Sequence, residues 1–587
     1  MGSSIIVKMQ KFTYILSVLL ALVTLQSFGV NINRVNGSLN ISYVDFSVPG
    51  YAVPLELVRS YNSITALNET SGWSGAFGWG WTSPIETTLT VTPEKKVILR
   101  DGGTGNNVIF STAQPNEKAI EAFSVRVKKA FFEQQKRRKL SESELSQLEL
   151  PSSMSEKLRN NSQFRSEIAS RFNITTDPGS EMLISSDYGY QTLQFRKNQW
   201  FREKDGIVQV FDKDGRLTRQ IDKNGFYFEY LYDNSSKYQV TEIHDQDKVT
   251  SLKLTWKGDR IVSAIDNRGR KSLYQYDGLG NLTQVTDSNQ QTYVFKYETK
   301  KFPHLMTHID YVSESKGRPL ISRGFRYDES GLITSHRDKD GIETLFSYGR
   351  NSTNPDSNFW TKTVYKSSGG QQQETYEEFF LKLRADGSKY LYKQDVKEAG
   401  LSSSTLFSSC CGKPLQITKN GEVTTFKYTA DGLLKEKVSP REAIQIEYEP
   451  RWNKISKVNQ NGVVSTYEYD NRGNLTKAFN TKNEKVALSY DKYGRITELT
   501  DLAKKKISFK YGPLGKPILI ADKNIGSVKI SYDPDGRILK TDTELRTSNN
   551  RRPTEEESKE VVRKILGGFQ NLLDIIRPAG IGLSSET

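Results

Sequence analysis

Tyr448, Tyr469, Tyr490, Tyr511 and Tyr532 stand 21 residues apart, and no other feature of the chain limits its folds so tightly. Most of them open a short phrase that ends on glycine: Asp470-Asn471-Arg472-Gly473, Asp491-Lys492-Tyr493-Gly494, Gly512-Pro513-Leu514-Gly515 and Asp533-Pro534-Asp535-Gly536. A fixed period of this length marks a repeat architecture in which each copy is one supersecondary unit. In Asp-x-x-Gly the Asp side chain caps its own backbone and Gly accepts positive φ, so the phrase predicts a turn. Between turns, runs such as Val528-Lys529-Ile530-Ser531-Tyr532 alternate apolar and polar residues, the pattern of a half-buried strand. Each copy therefore reads as a β-hairpin. A lone hairpin is marginal in water, whereas stacked copies bury a continuous face.

Looser copies come earlier. Phe211-Asp212-Lys213-Asp214-Gly215 leads to Tyr232, Tyr276-Asp277-Gly278-Leu279-Gly280 to Tyr297, Tyr327-Asp328-Glu329-Ser330-Gly331 to Tyr348, and Tyr428-Thr429-Ala430-Asp431-Gly432 to Tyr448. Between Gly349 and Ser409 the period is hard to see, and Asn351–Pro355 and Gly369–Gln373 read as loops.

Composition fits a thin wall better than a deep core. Hydrophobic residues make up 35% of 587 and, even with 43 Gly added, fall below the usual ~45–50%. Tyr, apolar along the ring and polar at the tip, occurs 29 times and suits strands with one wet face. The net charge of +14 comes from 83 basic and 69 acidic residues, which a solvated surface of mixed sign accounts for; no nucleic-acid partner is expected.

Lys8 and Lys11 precede an apolar run from Tyr14 to Leu25, then Ser27-Phe28-Gly29, the pattern of a secretory signal with cleavage expected after Gly29. An uncleaved anchor is the alternative, and any membrane contact is expected only through this segment. Export permits disulfides. The two Cys, Cys410 and Cys411, are adjacent, so they close a vicinal disulfide or pack as thiols within one turn and staple nothing distant.

Residues 30–112 read as β, with Arg59-Ser60-Tyr61-Asn62-Ser63 and then Gly75-Ala76-Phe77-Gly78-Trp79-Gly80-Trp81, a cluster expected to be a packed corner rather than a ligand box. These two motifs resemble the N-terminal domain that introduces bacterial RHS-repeat proteins. The 21-residue copies resemble the YD repeats of the same family, shared with teneurins and with the shell component of insecticidal toxin complexes. The resemblance covers most of residues 38–112 and 180–540. It implies a mainly β fold, a YD-repeat hairpin strip spiralling into a hollow or partly open shell, which in that family often encloses a C-terminal toxin. The self-cleaving aspartyl core of many such proteins is not seen here, so neither self-processing nor a sizeable globular toxin after Tyr532 is expected.

Residues 113–173 break the β pattern. Glu117 to Lys139 carries Ile120, Phe123, Val127, Ala130 and Phe131 at helical spacing, Ser141-Glu142-Ser143-Glu144 starts a second helix through Leu150, and Ser155 to Phe172 gives a third. Near the end, Val561, Val562, Ile565, Leu566, Phe569, Leu572, Leu573 and Ile576 predict an amphipathic helix over 555–577. The chain thus reads as a signal peptide (1–29), a β lead-in (30–112), a helical insertion (113–175), a repeat β-shell (176–543) and a linker with a C-terminal helix (544–587).

No catalytic set stands out, and no cofactor or metal is expected. His304 and His308 have a metal-compatible spacing only on a helix, and their surroundings read as β. Asp212-Lys213-Asp214-Gly215, Asp338-Lys339-Asp340-Gly341 and Asp533-Pro534-Asp535-Gly536 faintly resemble calcium loops, but hairpin turns explain them without an ion. The repeat-defining positions are Tyr448, Tyr469, Gly473, Tyr490, Gly494, Tyr511, Gly515, Tyr532 and Gly536. The expected function is a non-enzymatic scaffold exported to the periplasm, cell surface or medium, binding a surface glycan or envelope protein. The alternatives are a carrier that encapsulates a separately encoded polypeptide, or an enzyme whose site is assembled between distant repeats.

Overall fold

The computed structural model describes residues 30–545 except 51–52, 68–73, 93–96, 111–116, 175–181, 186–190, 234–237, 313–318, 367–369, 371, 384–388, 410–411, 430–431, 502–505, 524–525 and 535. The signal segment, the Cys410–Cys411 pair and the helix expected over 555–577 lie outside the described residues. The chain forms two compact units, divided after Gly462.

In the unit Asn31–Gly462 an antiparallel meander starts at Met182–Ser185 and ends at Lys454–Gln460, each strand paired with the next in sequence. The 21-residue copy is two strands and two turns, and the turn chemistry explains its regularity. Gly215 N donates to Asp212 O at 3.1 Å and Asp212 N to Arg216 O at 2.9 Å. Asp212 Oδ1 accepts from the backbone N–H of Asp214 (3.0 Å) and Arg216 (2.9 Å), and Oδ2 accepts from Arg216 Nε at 2.6 Å. Gly215 has φ 83°. This is a type I turn closed by a left-handed glycine, and the ladder shifts register beside it, between Val210 and Phe211. Asp266, Asp277, Asp287, Asp328 and Asp338 hold their turns in the same way.

The stretch where the period fades keeps Asn351–Pro355 as a loop, while Gln372 and Gln373 of the other expected loop belong to a strand. It holds the long strands Asn358–Lys366, Gln372–Leu383 and Lys389–Glu398. Longer strands lengthen the copy, so the spacing drifts while the hairpin plan persists.

The lead-in forms small sheets on one face of this meander. One orders Asn31–Asn33, Ser38–Val48, Leu55–Asn62 and Trp81–Thr82; another orders Thr88–Val91, Val97–Arg100 and Asn107–Ile109. Leu89, Val91, Leu99 and Phe110 pack with Leu193, Trp200, Phe211 and Leu217 of the meander in one buried cluster. The helical insertion comprises Glu117–Lys136, Glu142–Ser146, Ser152–Asn160 and Ser162–Phe172 around Phe123, Val127, Leu158 and Ile168. The second helix is shorter than expected, and the third is two helices. Asn161, extended at φ −125°, breaks the run, and its side chain accepts from Phe164 N to cap the next helix. No helix among the described residues is long and apolar enough to cross a membrane.

In the second unit the described strands run from Val463–Tyr469 to Ile538–Leu545 in the same sequential antiparallel order. Gly473, Gly494, Gly515 and Gly536 all have positive φ, between 68° and 78°.

Candidate functional site

The lead-in motifs are consumed in gripping the meander. Between Val44 and Phe46 the strand Ser38–Val48 bulges, which leaves Asp45 unpaired in the ladder and aims its carboxylate inward. Arg59 Nε donates to Asp45 Oδ1 at 3.0 Å and Oδ2 at 2.7 Å, and Tyr274 of the meander donates its hydroxyl to Oδ2 at 3.0 Å. The guanidinium carbon lies 4.3 Å from the Tyr43 ring centre, 4.6 Å from Trp81 and 5.3 Å from Phe295, so ring faces replace the missing hydrogen-bond acceptors of its Nη groups. Burial pushes the Asp45 carboxyl up against the pull of Arg59, while Asp45 holds Arg59 firmly protonated. Tyr61 donates its hydroxyl to His304 O (2.9 Å) and accepts from Met306 N (3.0 Å). Trp79 stacks on His304 with ring centres 4.4 Å apart and donates Nε1 to Leu279 O at 3.1 Å.

His304 and His308 do not converge. His304 faces the lead-in, with Nδ1 2.6 Å from Asn281 Oδ1, whereas His308 projects from the opposite face of the sheet, with Nδ1 3.1 Å from Glu298 Oε2. The Asp residues of the calcium-like phrases serve their own turns: Asp338 Oδ1 accepts from Asp340 N and Ile342 N, and Asp533 Oδ1 from Arg537 N. No group of three or more His, Cys, Asp or Glu among the described residues is placed to hold a metal.

The repeat tyrosines share one role that spacing alone does not reveal. Tyr448 donates its hydroxyl to Leu434 O (2.7 Å), Tyr490 to Leu475 O (2.6 Å), Tyr511 to Ile496 O (2.8 Å) and Tyr532 to Pro517 O (2.8 Å), each carbonyl opening the strand that follows the preceding turn. Tyr232, Tyr297 and Tyr348 do the same with Leu217, Leu282 and Ile333, and Tyr276 donates to Ile261, the second residue of its strand. Burial pushes the hydroxyls of Tyr448, Tyr511 and Tyr532 up to about 12, which keeps them protonated as donors. Tyr469 sits at the register shift next to Glu468.

The face of the meander turned away from the lead-in carries a row of charged and aromatic side chains. Lys296, His308, Gly324, Arg337, Glu343 and Lys366 are successive cross-strand partners there. Further along, Trp360 is paired with Gly349, and a Cβ at Gly349 would fall 2.3 Å from the indole, so the ring lies across the bare backbone. Trp360 also stacks on Tyr376, with ring centres 5.7 Å apart and planes at 30°. Asn358 Nδ2 donates to Glu378 Oε1 at 3.0 Å and Lys362 pairs with Glu374 at 2.7 Å around it. Sequence reasoning missed this aromatic step, because nothing local says that Gly349 and Trp360 will be neighbours.

Comparisons with known proteins place three family models on the chain: a domain of unknown function (DUF6531) over residues 29–110, RHS Repeat over 257–292 and Teneurin YD-shell over 379–533. No curated protein matches the chain by sequence. Among solved structures, it is similar to the Tc holotoxin pore of Photorhabdus luminescens, at 10% identity and a TM-score of 0.36 over 88% of this chain and 31% of that one. It is similar also to a crystal structure of TcdB2-TccC3-Cdc42, at 11% identity and a TM-score of 0.36 over 90% of this chain and 32% of that one. The chain thus spans less than a third of the length of either. Both repeat models fall on the hairpin meander described above, so the chain carries repeats of the RHS and YD-shell kind over residues 257–292 and 379–533.

Proposed function

We propose that this scaffold is exported and works without catalysis, by holding a glycan at the cell envelope or outside the cell. Residues 1–29 act in this reading as the signal segment. The observation that carries it is Trp360, its indole laid over Gly349 and stacked on Tyr376. Flat aromatic faces take up the C–H faces of sugars, and the half-buried Glu378 carboxylate beside them, held by the Asn358 amide, offers a hydroxyl partner. The repeats' own polar groups are spent on turns and strand entries, which suits a support rather than a reaction site.

The test is retention of surface polysaccharide from the native envelope on the immobilised full chain. Trp360→Ala is expected to weaken retention by about tenfold or more while the thermal midpoint stays close to that of the parent. Equal retention by parent and variant overturns the reading. Recovery of a stoichiometric, protease-protected polypeptide with no polysaccharide overturns it in favour of the encapsulating carrier.

A further inference from the structure

Gly324 occupies a strand interior with no conformational reason to be glycine. Its φ lies outside the left-handed region, and a Cβ there would meet only ordinary contacts, 3.8 Å from the His308 ring and 3.9 Å from Arg337 Cβ. Glycine within a strand weakens it relative to alanine and often marks a place where something approaches the backbone closely. Here the absent side chain opens the cross-strand ladder between His308 and Arg337, and a cavity of about 380 Å³ forms, lined also by Arg326, Ser335 and Glu343. That volume lies at the small-ligand end of the usual range.

The charges around the notch do not balance. Its acids are engaged: Glu343 accepts from Ser335 Oγ at 2.9 Å and lies 4.0 Å from Lys366, Glu298 lies 3.1 Å from His308, and Asp310 pairs with Lys296 at 2.8 Å. The guanidinium groups of Arg326 and Arg337, both on exposed residues, have no hydrogen-bond or ion-pair partner among the described residues. Arg326 and Arg337 both line this pocket, and each guanidinium is a planar fork of the kind that takes up a carboxylate or phosphate group. We propose that the Gly324 notch is a binding site for a small ligand bearing such an anionic oxygen group, taken up by Arg337 and Arg326. This site uses none of the residues of the Trp360 step, so either can fail while the other stands.

The experiment is isothermal titration of the full chain with sodium glucuronate, inorganic phosphate and uncharged glucose. Heat from glucuronate or phosphate and none from glucose is the expected result. Binding of glucuronate at least about tenfold tighter than phosphate assigns the site to a sugar acid, and the reverse order assigns it to free phosphate. Arg337→Gln is expected to weaken the better anion by about tenfold or more, and Gly324→Leu, which fills the notch from a backbone any residue adopts, to abolish binding. Arg326→Gln, an exposed change, gives a second reading should the leucine variant fail to fold. Glucose binding as well as the anions, no heat from either anion, or arginine variants that bind like the parent would each overturn the proposal.

Discussion

Arg59 and Asp45 form an ion pair whose side chains are 0% and 2% exposed, joined through Nε at 2.7 Å and closed over by the rings of Tyr43, Trp81 and Phe295. A buried pair of this kind adds little over a well-packed apolar pair, but removal of one partner strands the other charge. Arg59→Ala is therefore expected to cost about 3–5 kcal/mol. The joint replacement Asp45→Leu with Arg59→Met should recover most of that loss. Denaturant midpoints of the full chain decide the matter; a double variant as weak as the single one would show that the pair itself, not the stranded carboxylate, sets the cost.

At Gly215 a turn of the meander lies directly against a lead-in strand. Leu89 N donates to Gly215 O at 2.9 Å, and a Cβ on Gly215 would fall 1.9 Å from Leu89 O. Gly225 has nearly the same φ, 86° against 83°, with nothing within 4 Å of its Cβ position. Both alanine variants bear the left-handed strain of about 1 kcal/mol or more, but only Gly215→Ala collides with backbone. Hydrogen exchange should show the amides of Thr88–Val91 losing protection in Gly215→Ala and keeping it in Gly225→Ala. Equal protection in both would mean that the lead-in sheet does not depend on this approach.

The hydroxyl of Tyr490 ties its strand to Leu475 O at 2.6 Å within the unit after Gly462. Tyr490→Phe keeps the ring and removes the donor, so the expected loss is about 0.5–1.5 kcal/mol. Because each copy in a repeat array interacts chiefly with its neighbours, the loss should appear as faster exchange around Leu475–Asn480 and leave Phe211–Tyr232 unchanged. A change spread evenly over both units would count against a local tie.

The hairpin plan was legible because it is written in local chemistry. Asp-x-x-Gly forces a turn wherever it stands, and alternation such as Val528-Lys529-Ile530 assigns the faces. Over Gln372–Leu383 the same plan hides, since a longer strand changes the spacing without changing the pairing. The break at Asn161 hides too, because the apolar positions on its two sides fit one helix until the capping bond to Phe164 is seen. Contacts that join distant stretches leave no local trace. Asp45 meets Tyr274, and Tyr61 meets His304, only after the lead-in has settled on the meander. Gly324 reads in the sequence as one strand glycine among others; only its cross-strand neighbours His308 and Arg337 reveal an opening.

Glu86 gives the fold a pH dependence with a defined sign. Its Oε1 accepts from Ala76 N at 2.7 Å, while Oε2 is buried without a hydrogen-bond partner. Burial pushes the carboxyl from its ordinary 4.5 up to about 7, against the opposing pull of the Ala76 N–H, Arg100 and Arg260. Between those two values the folded protein holds a proton that the unfolded chain has released. Unfolding free energy therefore falls as pH rises through this window: the contribution is whole below about 4.5 and lost above about 7. Glu86→Gln keeps an acceptor for Ala76 and stays neutral at every pH. The variant should match the parent near pH 4 and become progressively the more stable of the two up to pH 8, all other titrating groups cancelling in the difference. Thermal midpoints of the pair measured across that range would show the gap opening. Parallel curves would mean that Glu86 is ionised in the fold throughout, held by Arg100 and Arg260 more strongly than burial disfavours it.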